Sequence, residues 1–374
     1  MIYLDYQATT PLAPQVTQAM APWIERHFAN PHSPSREGRR AAAAIEIARG
    51  QVERLLASPD GPGAKGRLAF TSGATEALNW ALKGSLECSN RRKLITIATE
   101  HAAVLDSADW LEGEGVEVVR LPVACDGLVD LTMAASAIDN STALVAAMLV
   151  NNEIGVIQPV AELARLARSC GALMLCDAVQ GFGRMAIPDG PDLVAISAHK
   201  LHGPKGIGAL WMRAGCEPAP LLHGGGQEQG LRSGTLSPAL CVGFGAAAAL
   251  ASERMTDDAA HIEGLWTAAR AALDPAWKLN GSAERRYHGN LNLSRSGLDA
   301  ARLLSDCRDI AFSLGSACAS GSGRPSHVLR ALGLSDRDAR ATIRLGFGRY
   351  TNEQELVAAC CRLNKSAQLQ KVAA

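Results

Sequence analysis

With 374 residues, 47% of them hydrophobic and 20% charged, the chain is long enough for two domains and apolar enough for a large core, which excludes a globally disordered protein. Lys plus Arg and Asp plus Glu both number 37 and no block of like charge stands out, so neither a nucleic acid nor a membrane surface is the expected partner. Ten cysteines, in a chain whose first residues carry Asp5 and no basic stretch, predict a cytoplasmic protein with reduced thiols rather than a secreted disulfide framework.

The first dozen residues read as a strand-like piece too short to stand alone. SPDGPGAKGR (58–67) is a loop; its GPGAKG matches GxGxxG, but it precedes a strand and no helix follows its last glycine, so it is not a dinucleotide fingerprint. Gly-Lys-Ser/Thr is absent, which excludes a Walker phosphate loop. Short apolar strands are predicted at 67–70, 93–98, 116–121, 143–150, 172–178, 193–197 and 208–212. Several are continuous apolar runs, the pattern of strands covered on both faces in a mostly parallel sheet. Helical patterns lie between them, such as VAELARLARSC (160–170) behind Pro159, and together they predict an α/β domain.

Three strand ends carry candidate chemistry. TSGATEAL (71–78) is a glycine turn that opens a helix, and the free amides of a first helical turn bind phosphate; the competing reading is a plain cap by Ser72 or Thr75. Asp177 directly follows an apolar strand, where open α/β sheets keep their ligands, although a capping Asp has the same pattern. Lys200 lies three residues past the strand at 193–197, where desolvation would make its amine nucleophilic; a solvated surface lysine is the alternative. His199 and His202 have i, i+3 spacing, but without a CxxC or HExxH motif no metal is expected.

The longest uncharged run, 233–252, reads as the start of a buried helix rather than a membrane span. Beyond about residue 250 the texture changes to helices separated by strands at 290–294, 310–315 and 342–348. The predicted division is a large α/β domain over 15–250 and a smaller α+β domain formed by 1–14 with 251–374. Within the latter, SLGSACASGSG (313–323) sets Cys318 among serines, alanines and glycines, an unusual place for a residue that ordinarily packs in apolar cores. Cys360 and Cys361, in ELVAACCRL, read as packing on an apolar helix face.

LDYQATTP, FANPHSPS, TSGATE, TEHAAVL, VNNEIGVIQP, CDAVQ, SAHKLHGPKGIGAL, HGGGQEQGLRSGT, LGSACASG and IRLGFGRYT occur in one order from residue 2 to about 355. In that combination the chain closely resembles the cysteine desulfurases, in the NifS/IscS-like branch of the class-V aminotransferase family, which are fold type I enzymes dependent on pyridoxal 5′-phosphate. The resemblance implies roles. Lys200 would hold the cofactor aldehyde and Asp177 would keep its pyridine nitrogen protonated. His101 would stack on the ring and move protons, and Gln180 would bond the ring oxygen. Ala74, Thr75, Ser197 and His199 would cup the phosphate, joined by Thr235 of a neighbouring subunit, which implies a homodimer with shared sites. Asn152 and Arg344 would hold the substrate carboxylate, with Asn152 also against the cofactor. Cys318 would take sulfur from L-cysteine as a persulfide, leave L-alanine, and pass the sulfur to an iron–sulfur scaffold or a sulfurtransferase. About 25 residues follow GRYT, so the long tail that some relatives use to dock an iron–sulfur scaffold is expected to be missing. Two readings compete: another pyridoxal-phosphate enzyme of this fold, such as a selenocysteine lyase or an aminotransferase, and a non-catalytic sulfur-carrying partner. Cys318 in its long loop speaks against the first, and intact Lys200, His101 and Arg344 against the second.

Overall fold

The computed structural model describes residues 1–57, 66–315 and 325–372. The loop expected at 58–67 therefore lies almost wholly outside the described residues, as does Cys318. The first half of the chain runs β1 (Ile2–Tyr3), α1 (Pro14–Glu25), α2 (Arg36–Leu56), β2 (Gly66–Thr71), α3 (Ala74–Glu87), β3 (Lys93–Ile97), α4 (Ala102–Gly113), β4 (Glu117–Leu121), α5 (Leu131–Ala137), β5 (Thr142–Met148) and α6 (Val160–Ser169). Then come β6 (Leu173–Asp177), β7 (Leu193–Ser197), β8 (Gly208–Arg213), α7 (Pro238–Ala272), β9 (Lys278–Leu279), β10 (Asn290–Ser294) and α8 (Ala300–Asp306). The last elements are β11 (Ile310–Ala311), β12 (Ser313–Leu314), α9 (His327–Ala331), α10 (Asp336–Arg340), β13 (Thr342–Gly346) and α11 (Glu353–Val372).

Seven strands form one sheet in the order β2-β8-β7-β6-β5-β3-β4. All neighbours from β7 to β4 are parallel; β8 alone runs against β7 and β2. The continuous apolar runs are covered on both faces. In β5, Leu144 and Ala146 enter one apolar cluster while Val145 and Ala147 enter another, as the two-residue period of a strand requires. With β8 as the single reversed strand, the carboxyl ends of β2, β3, β5, β6 and β7 share one edge, where sheets of this class hold ligands.

A second sheet, antiparallel in the order β12-β13-β10-β9, packs with α8 and α11 around a separate cluster that includes Leu4, Leu291, Ile343 and Leu363. The strand expected over 310–315 is two strands with different partners: β11 pairs with β1 and β12 with β13, so the chain passes from one pairing to the other at Phe312. Helix α7 spans 35 residues, about 50 Å at 1.5 Å per residue. Its Phe244 and Ala247 pack in the first core and its Leu265 and Ala269 in the second. The N-terminal segment also touches both bodies. Leu4 donates to Ala311 O, whereas Thr10 and Ala13 donate to His199 O and His202 O. Cys360 is fully buried but Cys361 is exposed, so only the first of the pair packs as expected. No helix among the described residues is long and apolar enough to cross a membrane.

Candidate active site

A cavity of about 540 Å³ opens on the carboxyl edge of the large sheet. Ala74, Thr75, His101, Asn152, Asp177, Gln180, Ser197, His199 and Lys200 all line it. They come from strand ends far apart in sequence, and parallel pairing brings those ends together. Gly208 keeps one corner open. It pairs with both Thr71 and Ser197, and a Cβ there would lie 2.7 Å from the Gly73 carbonyl carbon.

The N-terminus of α3 forms one end of the cavity. Gly73 is its N-cap and no side chain caps it, which sets aside the competing reading of a cap by Ser72 or Thr75. The first intrahelical bond is Ala77 N to Gly73 O, so the amides of Ala74, Thr75 and Glu76 have no acceptor within the helix. They add the positive end of a 14-residue helix to the wall. Glu76 turns back to accept from Ser72 N at 2.8 Å and pairs with Arg232 at 2.7 Å.

Asp177 ends β6 at the other end, 6% exposed, and accepts from Val179 N at 3.0 Å. Burial pushes its carboxyl up from the usual range, against the pull of His101 and Lys200. Lys200 follows β7 in a single helical turn and donates to Gln7 O and Ala8 O. Burial, with Arg184 and Arg344 nearby, lowers its amine from 10.5 to about 7. His101 is the N-cap of α4, and its Nδ1 accepts from Ala103 N, so the neutral ring carries its proton on Nε2. Gln180 donates to Gln7 O and accepts from Arg184.

The two spaced histidines have separate partners. His199 Nδ1 meets Thr9 Oγ1 and His202 Nδ1 meets Pro11 O; burial lowers each ring to about 4. Arg344 and Thr235 do not line the cavity. Arg344 gives Nη1 to Asn152 O and Nη2 to Asp5 and Ser313, leaving its buried Nε without a partner among the described residues. Thr235 is exposed in the segment before α7. Two anchors hold that segment: Arg232 on Glu76, and the buried Glu228 on Arg49 at 2.8 Å.

Sequence reasoning missed Gln7, Ala8 and Thr9, which form cavity wall although their neighbours Leu4 and Ile2 belong to the second core. It also missed Arg184, whose Nη2 bonds Lys200 O at 2.8 Å, and Lys205 in the wall. Nothing local marked Arg184; the glycines around Lys205 were the only signal for it.

Comparison with known proteins agrees with this architecture. The family described as "Aminotransferase class-V" matches residues 2–358. A protein named "Cysteine desulfurase IscS" from Rickettsia bellii (strain OSU 85-389) is 44% identical, covering 98% of this chain and 92% of that protein. Among solved structures, a "NifS-like protein" is 32% identical with a TM-score of 0.89, covering 99% of both chains. "SspA in complex with cysteine" is 33% identical with a TM-score of 0.79, covering 94% of this chain and all of that one.

Proposed function

We propose that this chain, which belongs to the class-V aminotransferase family, is a cysteine desulfurase that moves the sulfur of L-cysteine onto Cys318 and leaves L-alanine. One observation carries the reading: a single cavity joins an uncapped helix N-terminus, an amine near neutrality and a buried carboxylate raised by burial. Those three groups fit the phosphate, aldehyde and pyridine nitrogen of pyridoxal 5′-phosphate, the cofactor of this family. Bound there, the cofactor supplies an electron sink for negative charge developing on the substrate carbons.

The chain's own groups do the rest. Ala74, Thr75, Ser197 and His199 would hold the phosphate, and Gln180 and Asn152 would lie against the ring, since all of them line the cavity. Asp177, 6% exposed, would keep a proton on the pyridine nitrogen, and the positive charge there would offset the cost of burying its carboxylate. Lys200, about half unprotonated at neutral pH, takes the proton from the substrate Cα and returns it. His101 donates or accepts at Nε2. Asn152 lines the cavity for the substrate carboxylate, and Arg344, whose Nη1 donates to the Asn152 carbonyl at 3.1 Å, reaches that carboxylate by turning Nη2 away from Asp5. The Cys318 thiolate forms an S–S bond to the substrate sulfur. The Cβ–S bond breaks, its electron pair stays on the carbon skeleton, and protonation there completes L-alanine. Cysteine plus thiol thus becomes alanine plus persulfide, with atoms and electrons balanced.

The exposed Thr235, on a segment pinned by two ion pairs, suits a residue that completes the phosphate site of a second subunit in a homodimer. The persulfide then serves iron–sulfur cluster assembly or thiolation through a sulfur-acceptor protein in the cytoplasm. Incubation of the holoprotein with L-cysteine tests this reading: alanine and sulfane sulfur form in equal amounts. Alanine without sulfane sulfur, or no turnover with cofactor bound, would point to another reaction of the family. A smaller effect is expected for Asp177→Asn, which removes the charge but keeps the shape: turnover falls by about a hundredfold, with the cofactor still bound by absorbance.

A further inference from the structure

The cavity wall holds a second lysine to which the family resemblance gave no role. Lys205 lines it with Ser72, Gly73, Thr75 and Gly206, the residues of the α3 N-terminus and the turn that faces it. Gly206, at φ +85, leads into Gly208, which is pressed against Gly73. The Lys205 turn is therefore tied to the helix end by the β2-β8 and β8-β7 pairings.

Charge bookkeeping gives this lysine a task. A phosphate monoester carries a charge of about −1.5 to −2 at neutral pH. The other groups at that end are the free amides of the α3 N-terminus, the Thr75 and Ser197 hydroxyls and the His199 ring, and that ring is neutral at pH 7. A helix terminus offers roughly half a charge. Lys200 donates to Gln7 O and Ala8 O, and its amine is needed for the aldehyde. The Lys205 ammonium also acts on the His199 ring, so its field reaches the cup.

We infer that Lys205 is a further binding residue, the cation that holds the phosphate monoester at the N-terminus of α3. This rests on the reading of the cavity as the pyridoxal-phosphate site. Lys205 is exposed, so its substitution leaves the core intact. The test titrates apoprotein with pyridoxal 5′-phosphate and, separately, with pyridoxal, which has the same aldehyde and ring but no phosphate. In Lys205→Gln, affinity for the phosphorylated form falls about tenfold, the worth of one charge-assisted contact at a partly exposed site. Affinity for pyridoxal is unchanged, Lys205→Arg restores most of the loss, and the salt dependence of binding weakens. Equal losses for both compounds would make Lys205 a prop for its loop and overturn the inference; so would no loss for either. If the unaltered apoprotein bound neither compound, the cofactor reading itself would fall, and this inference with it.

Discussion

Lys200→Ala is expected to lower L-cysteine turnover by about 10⁴-fold, the upper range for a lost acid–base group, and to abolish covalent retention of the cofactor. The geometry explains the size of the effect. Lys200 stands at the end of β7, where its amine is largely removed from water and flanked by Arg184 and Arg344. Burial and those two cations all disfavour the ammonium, and the amine falls from 10.5 to about 7. An ordinary lysine is unprotonated in roughly one molecule in a few thousand at pH 7. The neutral amine reacts with an aldehyde, and a value lowered to about 7 makes the neutral fraction grow as pH rises through that region. The rate of pyridoxal uptake by apoprotein should therefore climb across that region and level off above it. A climb only near the ordinary lysine value would show that Arg184, Arg344 and burial do not act on this amine as described. Arg184→Met separates their shares, because it removes a nearby cation and the Lys200 carbonyl contact while leaving Lys200 in place. It should shift the uptake profile upward in pH.

Much of this was legible in the sequence because the signals were local. Continuous apolar runs located the strands of the large sheet, and β7 matches its expected bounds. Parallel sheets gather their strand ends on one edge, so Thr75, Asp177 and Lys200, each just past a strand, were bound to converge. What remained hidden was non-local. Gln7, Ala8 and Thr9 follow a two-residue strand that pairs with β11 in the second core, and nothing in their spacing reveals that they return to the cavity. Arg184 reaches Gln180 and Lys200 through side-chain direction alone. Arg344 was expected to hold the substrate carboxylate; its bonds to Asp5 and Ser313, across more than 300 and 30 residues, are contacts that no periodicity encodes. The run at 310–315 read as one strand because its composition is uniform; the change of partner at Phe312 is a decision of tertiary pairing.

Cys318→Ala should keep the cofactor and lose sulfur transfer, with alanine formation from L-cysteine down at least 10³-fold, as loss of an attacking nucleophile requires. Cys318 lies outside the described residues, but the described chain on either side of it ends beside the site. Ser313, five residues before it, bonds Arg344 and Asp5. Ser326, eight residues after it, is fully buried and donates to Glu153 at 2.5 Å, next to Asn152. His327 meets Glu100 O at 2.9 Å, next to His101. The alternatives fail on physical grounds. None of the nine described cysteines lines the cavity. Cys176, adjacent to Asp177, points to the opposite face of β6 and lies in the core, where burial pushes its thiol well above its ordinary value. Cys241 and Cys360 are buried and raised to about 12, so neither supplies thiolate at neutral pH. Cys88 is exposed but stands at the far end of α3, about 20 Å along the helix from the phosphate end. Alanine formation that survives Cys318→Ala would therefore leave no thiol of this chain in position to attack, and would require sulfur to leave the substrate without passing through the protein.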